Sequence, residues 1–303
     1  MNNDIISFDP LAAKYDGNEE VVILALKREI RNILNSYVGW YDPFCELIQN
    51  ALDAIDKRQE EDNKFIPQVH ILIDLSKNLI SVTDNGIGFK EAEYKKFLAP
   101  NFSFKVGGTT RGHKGVGTTY LAYGFNYIQI ATKTPDFSAI GVMKGARHWL
   151  SDLAPATNPN VVADKDSVVD SFFYEIDRGT SMTIKCDSES YPRDLSWMGL
   201  SSASSWLKVL RVQTGLGQVK NISDVQVVVD VIDKTGKKTS DRIKKPSYLQ
   251  VNEFVDKAKT VDEITEKMDH GIMSLNTDYC SGVFLSAEWF CIRLQNGILK
   301  IQL

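Results

Sequence analysis

The chain has 303 residues, of which 43% are hydrophobic and 24% charged, the balance of a globular protein of one large or two ordinary domains and not of a disordered or fibrous chain. With 35 basic against 39 acidic residues and a net charge of −4, no global positive field gathers nucleic acid or anionic lipid, so any such contact is local. No run approaches the roughly 20 apolar residues of a membrane span, and MNNDIISFDP lacks the pattern of a secretion signal, which predicts a cytoplasmic protein with no membrane partner.

After a polar opening, EEVVILALKREIRNILNS (19–36) places Val22, Leu26, Ile30, Ile33 and Leu34 at helical spacing. Asp42-Pro43 reads as a helix start, with Asp as N-cap and Pro in the first turn, and FCELIQNALDAIDKRQEE continues it. QVHILIDL (68–75) and NLISVTD, from residue 78, form a hairpin across Ser76-Lys77. Residues 86–117 are rich in glycine and poor in apolar periodicity, a loop that feeds the helix TTYLAYGF. Strands are predicted at FNYIQIATKT (125–134), FSAIGVMKGARHWL (137–150), SFFYEI (171–176) and GTSMTIKC (179–186), with residues 151–168 as an excursion between them. Helices first and a largely antiparallel sheet after them make an α+β chain, a two-layer α/β sandwich.

The character changes near Tyr191-Pro192, and a domain boundary is predicted at about 188–195. Beyond it come a helix at SSWLKVLRV, a strand at VQVVVDVID (225–233), a turn at TGKK, a helix at FVDKAKTVDEITEKM, and a hairpin turning on Gln295-Asn296-Gly297. The divisions are 1–18, 19–190 and 191–303, the last an α/β domain expected to be incomplete. Cys45, Cys186, Cys280 and Cys291 form no C-x-x-C pair and read as reduced, mostly buried thiols. His70, His113, His148 and His270 show no metal-ligand spacing.

Four short elements carry chemistry in combination. On the second helix Glu46, Asn50 and Asp53 lie at i, i+4 and i+7, a polar stripe about 60° wide at 100° per residue, with apolar residues on the broad side. In VTDNGIGF a strand delivers Asp84 to a turn on Gly86 and Gly88, where the missing side chains let another group approach the backbone. A carboxylate at that strand end can accept from an exocyclic amine such as that of adenine. GHKGVG (112–117) opens a helix, so its backbone N–H groups and the positive helix end suit phosphate, with Lys114 adding charge. Gly179-Thr180 then starts a strand whose hydroxyl can supplement Asp84. Taken singly, each has a plain alternative: a solvated helix face, a turn, a flexible loop.

Together and in this order they resemble the GHKL ATPase superfamily of gyrase B subunits, heat-shock chaperones, histidine kinases and MutL-type proteins. ELIQNALDA is similar to its N box, DNGIG to its Asp-x-Gly-x-Gly box, GHKGVG to its glycine box and GT to its closing Gly-Thr, over residues 20–187. The resemblance implies a Bergerat-type ATP-binding fold followed by a transducer-like domain, with ATP and Mg²⁺ bound. By residue, it implies Glu46 as the base for the attacking water, Asn50 as the Mg²⁺ holder and Asp53 as a support to that face. It implies Asp84 with Thr180 at the adenine, Gly86 and Gly88 giving the base its approach, and Gly112, His113, Lys114, Gly115, Val116, Gly117 and Thr118 around the phosphates. Residues 97–117 would form a lid hinged at Gly107-Gly108, and residues 1–18 a strap exchanged in an ATP-dependent homodimer.

Glu46 and Asp53 follow the hydrolase pattern, whereas histidine kinases resemble N-L-x-x-N-A-x-K there and carry an upstream phosphoacceptor; here no His precedes residue 70. Water is therefore the expected acceptor in a slow, Mg²⁺-dependent ATP hydrolysis that works a clamp. A nucleotide-dependent DNA-binding module remains open through DKTGKKTSDRIKK (233–245), and so do a chaperone and a protein kinase. In the hydrolase branches that the chain resembles, a lysine from the following domain reaches the γ-phosphate; residues 195–303 occupy that position, and none of their lysines matches it by sequence.

Overall fold

The computed structural model describes residues 19–62, 64–100, 116–151, 157–164, 169–219 and 225–243, with the backbone of two further strands between 291 and 302. The expected strap, Gly107-Gly108, Gly112, His113, Lys114, Gly115, Lys244, Lys245 and the helix at 254–268 lie outside the described residues.

Helix α1 (Glu19–Leu34) buries Lys27, Ile30 and Leu34, while Val22, expected on that face, is exposed. Lys27 is accommodated because its ammonium sits 4.6 Å from the centre of the Trp149 ring, an arrangement that offsets part of its desolvation. Helix α2 (Asp42–Glu61) begins at Asp42 itself. That residue does not cap the helix as expected; its Oδ2 accepts from the Gly39 N–H at 2.7 Å and closes the turn before it.

Strands β1 (Gln68–Asp74) and β2 (Leu79–Asp84) form the expected antiparallel hairpin. Asp74 Oδ1 accepts from the N–H groups of Ser76 and Lys77, both at 3.0 Å, and Asn78 takes a left-handed φ of 57°. A short helix α3 (Glu91–Tyr94) precedes α4 (Val116–Tyr123), and β3 (Tyr127–Lys133) follows. The segment 137–150 is not one strand: β4 (Ser138–Lys144) stops at Gly145, whose φ of 72° turns the chain into α5 (Ala146–Ser151).

After the short β5 (Val161–Ala163), the strand expected at 171–176 is a helical turn, α6 (Phe172–Glu175). Its aromatic residues suit a strand by propensity, but the Asp170 carbonyl accepts from Phe173 N–H and bends the chain, and Phe173 is buried among Ala131, Val169 and Ile176. Tertiary packing overrides the local preference. Strand β6 (Gly179–Lys185), helix α7 (Ala203–Gln213) and strands β7 (Gln226–Ile232) and β8 (Lys238–Arg242) follow, and β9 (Cys291–Gln295) pairs antiparallel with β10 (Ile298–Gln302) as a separate ribbon.

The main sheet has eight strands in the order β5-β4-β3-β6-β2-β1-β7-β8, antiparallel except where β7 runs parallel to β1. With seven helices and this mixed sheet among the described residues, the chain is α+β. In β1 and β2, Val69, Ile71, Ile73, Ile80 and Val82 point to the face that α2 covers; Val227, Val229 and Val231 of β7 share it, under α7. All belong to one hydrophobic cluster, and the Phe44 ring of α2 lies 5.3 Å from that of Trp206 in α7. The sheet and its core thus include α7, β7 and β8, which lie beyond the position of the boundary predicted at 188–195. Burying Trp206 or Phe44 against water is worth about 2–3 kcal/mol each, which ties the two segments together.

The opposite face is polar: Ser81, Thr83, Ser181, Thr183, Gln129 and His70 alternate with the core residues and are nevertheless buried. Among the described residues, no helix is long and apolar enough to cross a membrane.

Candidate functional site

Asp84 closes β2 where the sheet meets α2, and the loop after it is held from several sides. Gly86 N–H donates to Asp84 Oδ1 at 2.8 Å, and Ile87 N–H donates to the carbonyl of Ala54 within α2 at 3.0 Å. A Cβ on Gly86 would lie 2.5 Å from the Ala54 carbonyl carbon, so only glycine lets the loop touch the helix backbone. Gly88 has a φ of +66° and faces the Lys133 carbonyl. In this structure the close approach that Gly86 and Gly88 permit is therefore made by α2 and by β3.

Arginines hold the outer side of the loop. Arg58 Nη1 donates to the Asn85 carbonyl at 2.8 Å, and its guanidinium forks onto Asp177 at 3.1 and 3.2 Å. Arg178 Nε donates to the Ile87 carbonyl at 2.6 Å. Asn85 Oδ1 accepts from Gln68 N–H at 2.7 Å, which ties the loop to β1.

Asp84 is 4% exposed. Burial, offset only in part by the N–H groups of Gly86 and Thr180 and by the charge of Arg58, raises its pKa from 3.8 to about 7. Thr180 stands directly opposite Asp84 in the β2–β6 ladder, so both side chains project to the same face, the one under α2. A buried acceptor compensated only in part has more to gain from a further N–H donor than an exposed carboxylate would.

The polar stripe of α2 is not a solvated face. Asp53 is 4% exposed, and Glu46 and Asn50 are half-buried. Glu46 Oε1 accepts from the Tyr37 hydroxyl at 2.9 Å, and Oε2 lies against Gly117, where a Cβ would overlap it. Asn50 Nδ2 is buried with no hydrogen-bond partner among the described residues. Half a turn of the carboxamide exchanges that atom for Oδ1, so the position can offer a donor to a phosphate or an oxygen to a hard cation.

Val116, Gly117 and Thr118 make the first turn of α4, the end at which N–H groups lack intrahelical partners. The structure thus brings together Glu46 with Gly117, and Asp84 with Gly86, Gly88 and Thr180, and α2 touches both groups. Tyr37 and Arg58 escaped the sequence reading. Arg58 had a signal: at 100° per residue it falls about 120° from Glu46, on the apolar side of α2, where a charged residue needs a buried partner. Tyr37 had none, since its contact with Glu46 depends on how the α1–α2 loop folds.

A second cluster lies on the opposite face. His70 Nδ1 is 2.6 Å from Asp170 and Nε2 is 3.0 Å from Asp230; Thr83 donates to Asp170 at 2.8 Å, and Lys238 pairs with Asp230 at 2.7 Å. Burial disfavours the imidazolium, but the hydrogen bonds and charges of both carboxylates outweigh it and raise the His70 pKa. Among the described residues no three His, Cys, Asp or Glu side chains are arranged to hold a metal ion. In the basic stretch, Lys238 is engaged with Asp230 and Lys234 with Asp194.

No protein-family model and no curated protein matches this chain.

Proposed function

We propose that this chain binds and slowly hydrolyses ATP at the junction of α2, the β2 end and the first turn of α4, in the manner of the GHKL ATPases whose boxes it resembles, on a Bergerat-type fold. The observation that carries it is Asp84: a buried carboxyl group, its pKa raised by burial to about 7, opposite Thr180 at a strand end whose following turn packs on α2 at Ala54. Asp84 accepts from the adenine amine, with the Thr180 hydroxyl beside it. Glu46 takes the proton of the attacking water. Asn50 would hold a Mg²⁺ ion through Oδ1 once its carboxamide is turned by half a turn, which puts the oxygen where Nδ2 has no partner; the ion would supply neutralisation of phosphate charge. Gly117, Val116 and Thr118 offer the α4 N-terminus to phosphate.

Nucleotide closure is expected to bring two copies together as a clamp. The alternative, a DNA-binding module using residues 234–245, has less support, because two of its lysines are already paired with carboxylates. Calorimetric titration with Mg-ATP and a phosphate-release assay test the proposal. Glu46→Ala should bind ATP with little change and lose turnover by about a hundredfold or more; turnover equal to that of the unmodified chain would remove Glu46 as the base.

A further inference from the structure

We propose that Tyr37 is a positioning residue for Glu46, its hydroxyl setting the orientation of the carboxylate that serves as general base; this rests on the ATPase reading above. The Tyr37 hydroxyl donates to Glu46 Oε1 at 2.9 Å. The phenol that makes this bond is itself fixed: its ring lies face to face on Tyr120, with centroids 4.0 Å apart and planes within 4°. Tyr120 is in turn buried in α4 and donates from its hydroxyl to the Tyr191 carbonyl at 3.1 Å. Burial, and after it the charge and hydrogen bond of Glu46, push the Tyr37 pKa far above the usual phenol range, so the hydroxyl keeps its proton and remains a donor.

The other carboxylate oxygen, Oε2, lies against Gly117 in the first turn of the same helix. Both oxygens of Glu46 are therefore located by α4, one directly and one through the Tyr120–Tyr37 stack. Because α4 begins at the turn offered to phosphate, its placement and the aim of the base are set together. During hydrolysis the water proton passes to Glu46 as the water oxygen bonds to the γ-phosphorus and the bond to the ADP oxygen breaks. That proton then returns to solvent, and Tyr37 exchanges none. Its effect is on aim and on basicity: a donor to an ionised carboxylate favours the charged form.

Tyr37→Phe keeps the stacked ring and removes only the hydroxyl. Steady-state hydrolysis by the full chain with Mg-ATP, followed from about pH 5 to pH 9, should show kcat reduced by about tenfold and KM for ATP within about twofold of the unmodified chain. The acid limb of the kcat profile should move to higher pH, which a purely structural contribution would not produce. An unshifted acid limb and unchanged kcat, with Glu46→Ala inactive beside it, would overturn the role of Tyr37 and leave the ATPase reading standing. An unmodified chain that does not turn over ATP, or a Glu46→Ala chain that does so normally, would overturn both.

Discussion

Replacing Asp84 by Asn should stabilise the empty protein while abolishing ATP binding. The carboxyl moves from its ordinary 3.8 to about 7 on folding, which at 1.36 kcal/mol per tenfold corresponds to about 4 kcal/mol of penalty once the group is ionised. The folded pKa is the higher one, so between about pH 4 and pH 7 the folded state binds more protons than the unfolded state. Stability therefore falls as pH rises through that window, and the full penalty applies above it. Asparagine carries no charge and keeps one oxygen for the Gly86 N–H, but it loses an acceptor for the Thr180 N–H, at a cost of about 1–2 kcal/mol. The net expectation is about 2–3 kcal/mol of added stability at pH 8, turning into about 1 kcal/mol of lost stability near pH 4, where the charge penalty is gone and the lost hydrogen bond remains. Urea unfolding of the ligand-free chain at the two pH values measures it, and titration with Mg-ATP measures the loss of binding. A variant less stable than the unmodified protein at pH 8 would show that burial is not the dominant influence on this carboxylate.

Other expectations follow from the same geometry. If Asp84 accepts from the adenine amine as proposed, protonating it removes that charged acceptor, and ATP affinity should decline as pH drops below about 7; affinity independent of pH from 6 to 8 would contradict this. His70→Asn leaves Asp170 and Asp230 without their shared partner and should destabilise by about 3 kcal/mol at pH 6. Because the folded His70 pKa is raised, its stabilisation is complete below 6.5 and is lost as pH rises through the folded value, so the deficit should shrink by pH 9; equal deficits at both pH values would refute the linkage. Arg58→Met keeps the stem but removes the donor to the buried Asn85 carbonyl, and thermal unfolding should register about 1–3 kcal/mol of lost stability, with weakened ATP binding. Little of that loss should come from Asp177, whose side chain is 78% exposed.

Much of this arrangement was legible in the residues. Strand alternation in QVHILIDL and NLISVTD predicts the hairpin, and helical spacing around Glu46, Asn50 and Asp53 predicts the polar stripe, because both are local periodicities. Two features were not legible, because tertiary packing sets them: aromatic FFYE has the composition of a strand but bends at Asp170 to bury Phe173, and the strand in VQVVVDVI pairs parallel to β1.

By itself, the sequence determined which residues can do chemistry and in what order: a carboxylate at a strand end, a glycine turn after it, a carboxylate–carboxamide stripe on a helix. Only the tertiary structure decided who their partners are. Tyr37 reaches Glu46, Arg58 reaches the Asn85 carbonyl, and His70 bridges Asp170 and Asp230, which are 100 and 160 residues away along the chain. Periodicity reports the face on which a side chain emerges, but its neighbours across an interface depend on the packing of the whole core, and it is those neighbours that bury Asp84 and set its charge.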